Sequence, residues 1–275
     1  MFEQFRSSAR TKLQRAVSEV IENADHHNAE RTRQILDELT RSHNELAGAR
    51  GDIAGLRSRI DELEFRQRRD LAYAVDLEAT ASSATFILEN MRVVETFGHP
   101  HDTLRHALNL VETPGMALEF GVASGTTLKI IADEFREREG TVTGFDVFSG
   151  LPETWRTGFP VGEFAQESIP EVPGAQLIPG LFGDTLPSFL EQETGPVAFL
   201  HLDADLYSST KTVLDLLGDR LVPGSVVIFD EFFNYPGWQH HEYRAWTEFV
   251  TRTGISFEYV GYTVDNEQVI ARVIR

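Results

Sequence analysis

Apolar positions in this chain follow one period up to about residue 80 and another after it. Residues 1–80 contain no proline. Through Thr32, Ile35, Leu39, Ser42, Leu46, Ala49, Ile53, Leu56, Ile60 and Leu63 the spacing alternates between three and four, as a coiled-coil seam requires. Ser42 and Ala49 weaken that seam, and Gly48, Gly51 and Gly55 lower helix propensity beside it. The pattern predicts an N-terminal helical, coiled-coil-like segment over 1–80 that self-associates. A helix folded back on its own domain is the alternative.

Beyond it, helices are expected over 82–97 and 101–112, before Pro114-Gly115 breaks the chain. Near-continuous apolar runs then alternate with helical stretches. The expected strands are 116–121, 141–146, 175–179, 197–203 and 225–230, and the helices are 126–137, 185–192 and 208–219. Strands apolar on both faces imply a parallel sheet covered by helices. The end of the chain, Ser256–Thr263 and Gln268–Ile274 around Asp265-Asn266-Glu267, reads as an antiparallel hairpin. The expectation is an α/β, Rossmann-like, seven-stranded and mostly parallel sheet over 81–275, closed by that hairpin.

Charge narrows the function classes. A net charge of −18 argues against nucleic acid and against an anionic membrane surface as partners. Cysteine is absent, which removes disulfides, thiolate nucleophiles and Cys-ligated zinc. No apolar run approaches the length of a membrane span. The first residues lack the basic and apolar regions of a signal peptide. A cytoplasmic protein without membrane insertion is expected.

The candidate chemistry sits where strands end. The run to Asp203 and the run to Asp230-Glu231 both stop at carboxylates, 27 residues apart. On neighbouring parallel strands, Asp203, Asp230 and Glu231 converge in the crevice where open α/β sheets bind ligands. Three hard oxygen donors there suit Mg²⁺ or a similar cation. In Glu119-Phe-Gly-Val-Ala-Ser-Gly125, Gly121 and Gly125 permit a tight strand-to-helix turn and close ligand approach. This is not the pyrophosphate fingerprint of dinucleotide sites, and Glu119 suits a cationic amino group better than a pyrophosphate. Asp146, ending the next strand, either accepts from a ribose diol or caps the following turn. Asp184 either caps a helix or meets an adenine edge.

Taken with Phe145-Asp-Val-Phe-Ser-Gly-Leu-Pro-Glu153, Gly183-Asp-Thr-Leu-Pro187, Leu202-Asp-Ala-Asp-Leu-Tyr207 and Phe229-Asp-Glu231, these motifs give the chain a family resemblance. It resembles a class I S-adenosylmethionine-dependent methyltransferase, and within that class the metal-dependent macrocin O-methyltransferases (TylF/MycF-like) that modify sugar hydroxyls. The resemblance covers about 85–275. It implies that Glu119, Gly121, Ser124, Gly125 and Thr126 line the methionine end of the cofactor, that Asp146 binds ribose, and that Asp184 lies near adenine. It also implies that Asp203, beside the cofactor, holds a divalent cation with Asp230 and Glu231. Glu231 stands where the family often has Asp. Leu206 occupies the position of the lysine found in catechol-type relatives, which disfavours a planar catechol acceptor. A sugar or glycosylated small molecule, or an oligosaccharide, is the expected acceptor.

Asp203, His240 and His241 are the catalytic candidates: Asp203 through the cation, and His240 and His241 for the proton; Asp205 is a further base or a helix cap. His240 and His241 are equally readable as solvated loop residues, and His201 as a hydrogen-bonded core residue. Trp155, Arg156, Phe159 and Phe164 form a substrate lid or an ordered loop packed inward, and Trp238 poses the same choice. The rival readings are a metal-independent methyltransferase, a non-catalytic cofactor-binding scaffold and, less favoured, an oxidoreductase.

Overall fold

The computed structural model describes residues 2–275, with side chains from Arg10 onward. The chain forms two compact units, one ending at Leu71 and the other spanning Ala72–Arg275. The first is a single helix, α1 (Phe2–Arg69). At a rise of roughly 1.5 Å per residue it runs about 100 Å. Its last turn carries Arg66, Arg68 and Arg69, cations that complement the carboxyl end of a helix dipole. Every described side chain from Arg10 to Arg69 is exposed, including the seam residues Ile35, Leu39, Leu46, Ile53, Leu56, Ile60 and Leu63.

The second unit opens with α2 (Leu71–Asn90), whose Ala79, Ser83 and Phe86 are buried. Phe86 packs against the rings of Phe232, Phe233, Trp238, Tyr243 and Tyr259. There follow β1 (Glu95–Phe97), α3 (Pro100–Asn109), β2 (Met116–Phe120), α4 (Thr126–Phe135), β3 (Val142–Asp146) and β4 (Gln176–Pro179). The remainder is α5 (Phe182–Gln192), β5 (Val197–Leu202), α6 (Tyr207–Leu217), β6 (Leu221–Phe229), α7 (Glu242–Thr253), β7 (Phe257–Thr263) and β8 (Val269–Val273).

The strands form one sheet in the order β1-β7-β8-β6-β5-β2-β3-β4. Only β8 runs antiparallel, between β6 and β7. The sheet has eight strands, not the expected seven, because the helix expected over 82–97 stops at Asn90. Val93 and Val94 follow, and β-branched residues crowd a helix. Glu95–Phe97 then joins the edge of the sheet, parallel to β7. Three residues, two exposed and one half-buried, carry no period-two signal, so this strand left no trace in the sequence pattern.

Alternation within the central strands feeds two cores. Leu118, Phe120, Phe145, Leu200, Leu202, Val227 and Phe229 pack on one face with α5, α6 and α7. Ala117, Phe199, Val226, Ile228 and Ile270 pack on the other with α3 and α4. The register aligns the strand ends: Phe120 pairs with Phe145 and with Leu202, and Leu202 pairs with Phe229. The residues that follow, Gly121, Asp146, Asp203 and Asp230, therefore emerge at one edge.

Candidate active site

The ladder holds those ends in place. The Gly121 amide donates to the Phe145 carbonyl, that of Asp203 to Phe120 (2.9 Å), and that of Asp230 to Leu202 (2.8 Å). Gly121 sits at φ 94°, and a Cβ there would overlap the Asp203 carbonyl. Close approach of β2 and β5 thus demands glycine. Above this edge lies a cavity of about 600 Å³, lined by Gly121, Ala123, Asp146, Asp184, Asp203, Asp205 and Glu231 among others. That size is typical of small-molecule sites.

The expected cofactor residues divide into two groups. Gly121, Asp146, Asp184 and Asp203 line the cavity; Glu119, Ser124, Gly125 and Thr126 do not. Asp146 Oδ2 accepts from the Val122 and Ala123 amides, both at 2.8 Å, and Oδ1 accepts from the Phe148 amide at 2.6 Å. This carboxylate therefore pins the glycine-bearing loop to the end of β3 and caps the next turn, with a lone pair of Oδ1 left for a ligand. Ser124 and Thr126 bond each other through their hydroxyls and are exposed. Gly125 is the left-handed N-cap of α4. Asp184 lies in the first turn of α5, whose N-cap is Leu181, so it is not the capping residue.

Beneath the loop, Glu119 is fully buried. Its Oε1 lies 2.8 Å from His201 Nδ1, and its Oε2 is buried without a partner. His201 Nε2 is 3.8 Å from Asp230 Oδ1, and that oxygen accepts a hydrogen bond from Gln268 Nε2 at 3.1 Å. One ligand atom from each of His201, Asp203 and Asp230 lies within 4.8 Å of the others. Glu231 sits beside this group. Its amide donates to Glu242 Oε2 at 3.1 Å, and its own Oε2 is buried and unpartnered.

The electrostatics follow from crowding. Burial and the neighbouring Asp230 charge push the Asp203 and Glu231 carboxyls well above the usual range. The same causes carry Asp205 to about 7. Burial also raises Glu242. Burial alone would lower His201, but its hydrogen bonding to Asp230 and Glu119 and the Glu119 charge outweigh it, so its pKa stands well above normal. Asp230 is lowered: burial raises it, and the His201 bond and charge overcome that. A hard divalent cation suits the Asp203 and Asp230 carboxylates, since it offsets their mutual repulsion; Glu231 is not part of the His201, Asp203 and Asp230 cluster.

On the far side of the cavity the 148–166 stretch folds on itself, with paired backbone bonds between Leu151 and Glu163 and between Leu151 and Gly162. Trp155 is buried, Phe159 half-buried and Phe164 exposed, and all three line the cavity with Arg156. The Arg156 guanidinium carbon lies 3.9 Å from the Trp155 ring centroid and 4.4 Å from that of Tyr235, and Nη1 reaches Glu267 Oε1 at 3.2 Å. Arg156 Nε and Trp155 Nε1 are buried without partners. Trp238 instead packs against Phe86 and Tyr243 and donates to Ser82 Oγ at 3.1 Å.

His240 is exposed. His241 is half-buried beside the Trp155 and Tyr235 rings, and burial lowers its pKa. Neither histidine lines the cavity, whereas Asp205, held at φ 56°, does. Tyr235, Glu242, Glu267 and Gln268 carried no motif. Only the turn at Asp265-Asn266, which sends β8 back beside β6, hinted that Glu267 and Gln268 return to the site.

A helix-covered sheet with one antiparallel strand set between β6 and β7, and a cavity over the carboxyl ends of β2, β3 and β5, defines a Rossmann-like, methyltransferase-type fold. A family model described as Macrocin-O-methyltransferase (TylF) matches residues 172–270. A curated relative from Streptomyces olivaceus, 8-demethyl-8-(2,3-dimethoxy-alpha-L-rhamnosyl)-tetracenomycin-C 4'-O-methyltransferase, is 46% identical over 57 residues. That match spans 21% of this chain and 21% of the relative. The calicheamicin methyltransferase CalS11 superposes with a TM-score of 0.52 at 23% identity, covering 77% of this chain and 92% of that one. The O-methyltransferase NovP gives 0.50 at 24% identity, covering 63% and 79%. Residues 172–270 are thus TylF-like, and the fold around them is that of a methyltransferase.

Proposed function

We propose that this chain is a metal-dependent O-methyltransferase that moves a methyl group from S-adenosylmethionine to a hydroxyl of a sugar or glycosylated metabolite. The observation that carries this reading is the cluster of His201, Asp203 and Asp230, of which Asp203 lines the cavity, as does Glu231 with its orphaned oxygen. The sugar-linked activity named for the Streptomyces olivaceus relative supports the acceptor class.

S-adenosylmethionine supplies an electrophilic methyl on a sulfonium, and the acidic lining of Asp146, Asp184 and Asp203 suits its positive charge. Asp203, Asp230 and Glu231 would hold the cation, with His201 fixing Asp230 from below. A bound divalent cation lowers the pKa of a hydroxyl and orients it, which an aliphatic alcohol needs at neutral pH. Asp205, which lines the cavity and is not assigned to the cation, is positioned to take the hydroxyl proton. Trp155, Phe159 and the stacked Arg156 bind and orient the sugar and exclude water from the reacting face. The protein works as a homo-oligomer joined through α1, a reading supported by the exposed heptad seam.

The test is methyl transfer from labelled S-adenosylmethionine to a panel of free sugars, nucleotide-linked sugars and glycosides with Mg²⁺ present. Transfer to at least one sugar hydroxyl is expected. Cofactor binding without transfer to any acceptor in the panel would favour the scaffold reading.

A further inference from the structure

We infer that α1 pairs with α1 of a second copy as a two-stranded, parallel, in-register coiled coil; this rests on the reading that α1 is the self-associating element. The seam assigns Thr32, Leu39, Leu46, Ile53 and Ile60 to heptad position a and Ile35, Ser42, Ala49, Leu56 and Leu63 to position d. The seven large apolar residues among them are between 51% and 61% exposed, so within α1 this stripe is uncovered among the described residues. Gly48 and Gly55 fall at c and Gly51 at f, outside the seam, and nothing lies within 4 Å of the place a Cβ would take. The glycines are therefore kept off the face that must pack.

Charge selects the orientation. In a parallel, in-register pair each g position faces the e position five residues later on the other strand. Glu45 then meets Arg50 of the partner subunit, Asp52 meets Arg57 of the partner subunit, and Arg59 meets Glu64 of the partner subunit. Glu38 meets His43 of the partner subunit in the same way. The three pairs of charged residues are all complementary. Among the described residues, Glu45, Arg50, Asp52, Arg57 and Arg59 make no ion pair inside the chain. An antiparallel pairing over the same heptads sets Glu45 beside Asp52 of the partner subunit, a repulsive contact. The strand number follows from shape: Ile at a with Leu at d, as in Ile53/Leu56 and Ile60/Leu63, favours two strands over three or four.

The chain has no cysteine, so one introduced thiol reports on one position. In the full-length protein, Ser42→Cys and Leu63→Cys, both at d, should each cross-link to themselves on mild oxidation, while Ser58→Cys at f should not. Light scattering should give the mass of two chains. Glu45→Arg should weaken self-association roughly tenfold, and adding Arg50→Glu should restore it. Two-chain mass without self-cross-linking at both seam positions, cross-linking at Ser58→Cys as efficient as at the seam, or no rescue by the double reversal would overturn the parallel register. Three or more chains would overturn the strand number. A single-chain mass would overturn self-association as well, and leave the methyl-transfer reading untouched.

Discussion

At the scale of single residues, the carboxylates at strand ends were legible and their supports were not. Asp203 and Asp230 announced themselves as charges ending apolar runs, a pattern with few uses in a covered parallel sheet. His201 looked like a core residue, and it is buried and bonded to Glu119. Only the register of β5 against β6, which puts Asp230 at 3.8 Å from its second nitrogen, brings it to the site. Asp203→Asn or Asp230→Asn should abolish Mg²⁺-supported turnover while leaving cofactor affinity within a few-fold; retained turnover would remove the cation site. Asp146 does more than the sequence suggested, because three backbone amides already rest on it. Asp146→Ala should therefore weaken cofactor binding by about 1–3 kcal/mol, measured by calorimetric titration. Arg156→Ala should raise the acceptor KM roughly tenfold with cofactor affinity unchanged, since the loss is one charge-assisted contact on the acceptor side. A matching loss of cofactor affinity would move Arg156 out of that role.

At the scale of elements, long periodic segments were readable and short or irregular ones were not. β2, β5 and β6 follow from continuous apolar runs, and α1 from its heptads. β1 is three residues long and gains its place only by pairing with β7, which lies more than 150 residues later in the chain. The 148–166 stretch was visible as rich in glycine and aromatics, but the sandwich of Arg156 between Trp155 and Tyr235 depends on a loop beyond β6. Trp238 offered the same aromatic signal and went instead to the cluster around Phe86. That cluster fastens α2 to the sheet unit. Phe86→Ala should cost about 3–5 kcal/mol of stability in denaturant unfolding, and a change under about 1 kcal/mol would mean the cluster repacks.

At the scale of the whole molecule, the excess of acid has a local consequence. Asp203, Asp205 and Glu231 have raised pKa values, so in the metal-free fold each keeps its proton where the unfolded chain, with Asp near 3.8, has lost it. Their contribution is full below the unfolded pKa and is lost as pH rises through the folded values, about 7 for Asp205. His201, also raised, acts in the same direction; Asp230, lowered, acts in the opposite one and contributes above its unfolded value. The metal-free protein should therefore lose thermal stability as pH rises from about 5 to about 8, and Mg²⁺ should restore more of it at the upper end. Mg²⁺ stabilisation that is equal at both ends would contradict this coupling.

The most direct measurement is methyl transfer to a responsive sugar acceptor, assayed after EDTA treatment and again after adding back Mg²⁺. Transfer should fall to background in EDTA and return with Mg²⁺, with S-adenosylmethionine bound in both states. Undiminished transfer in EDTA would contradict a cation at Asp203 and Asp230 and leave those carboxylates to the cofactor alone.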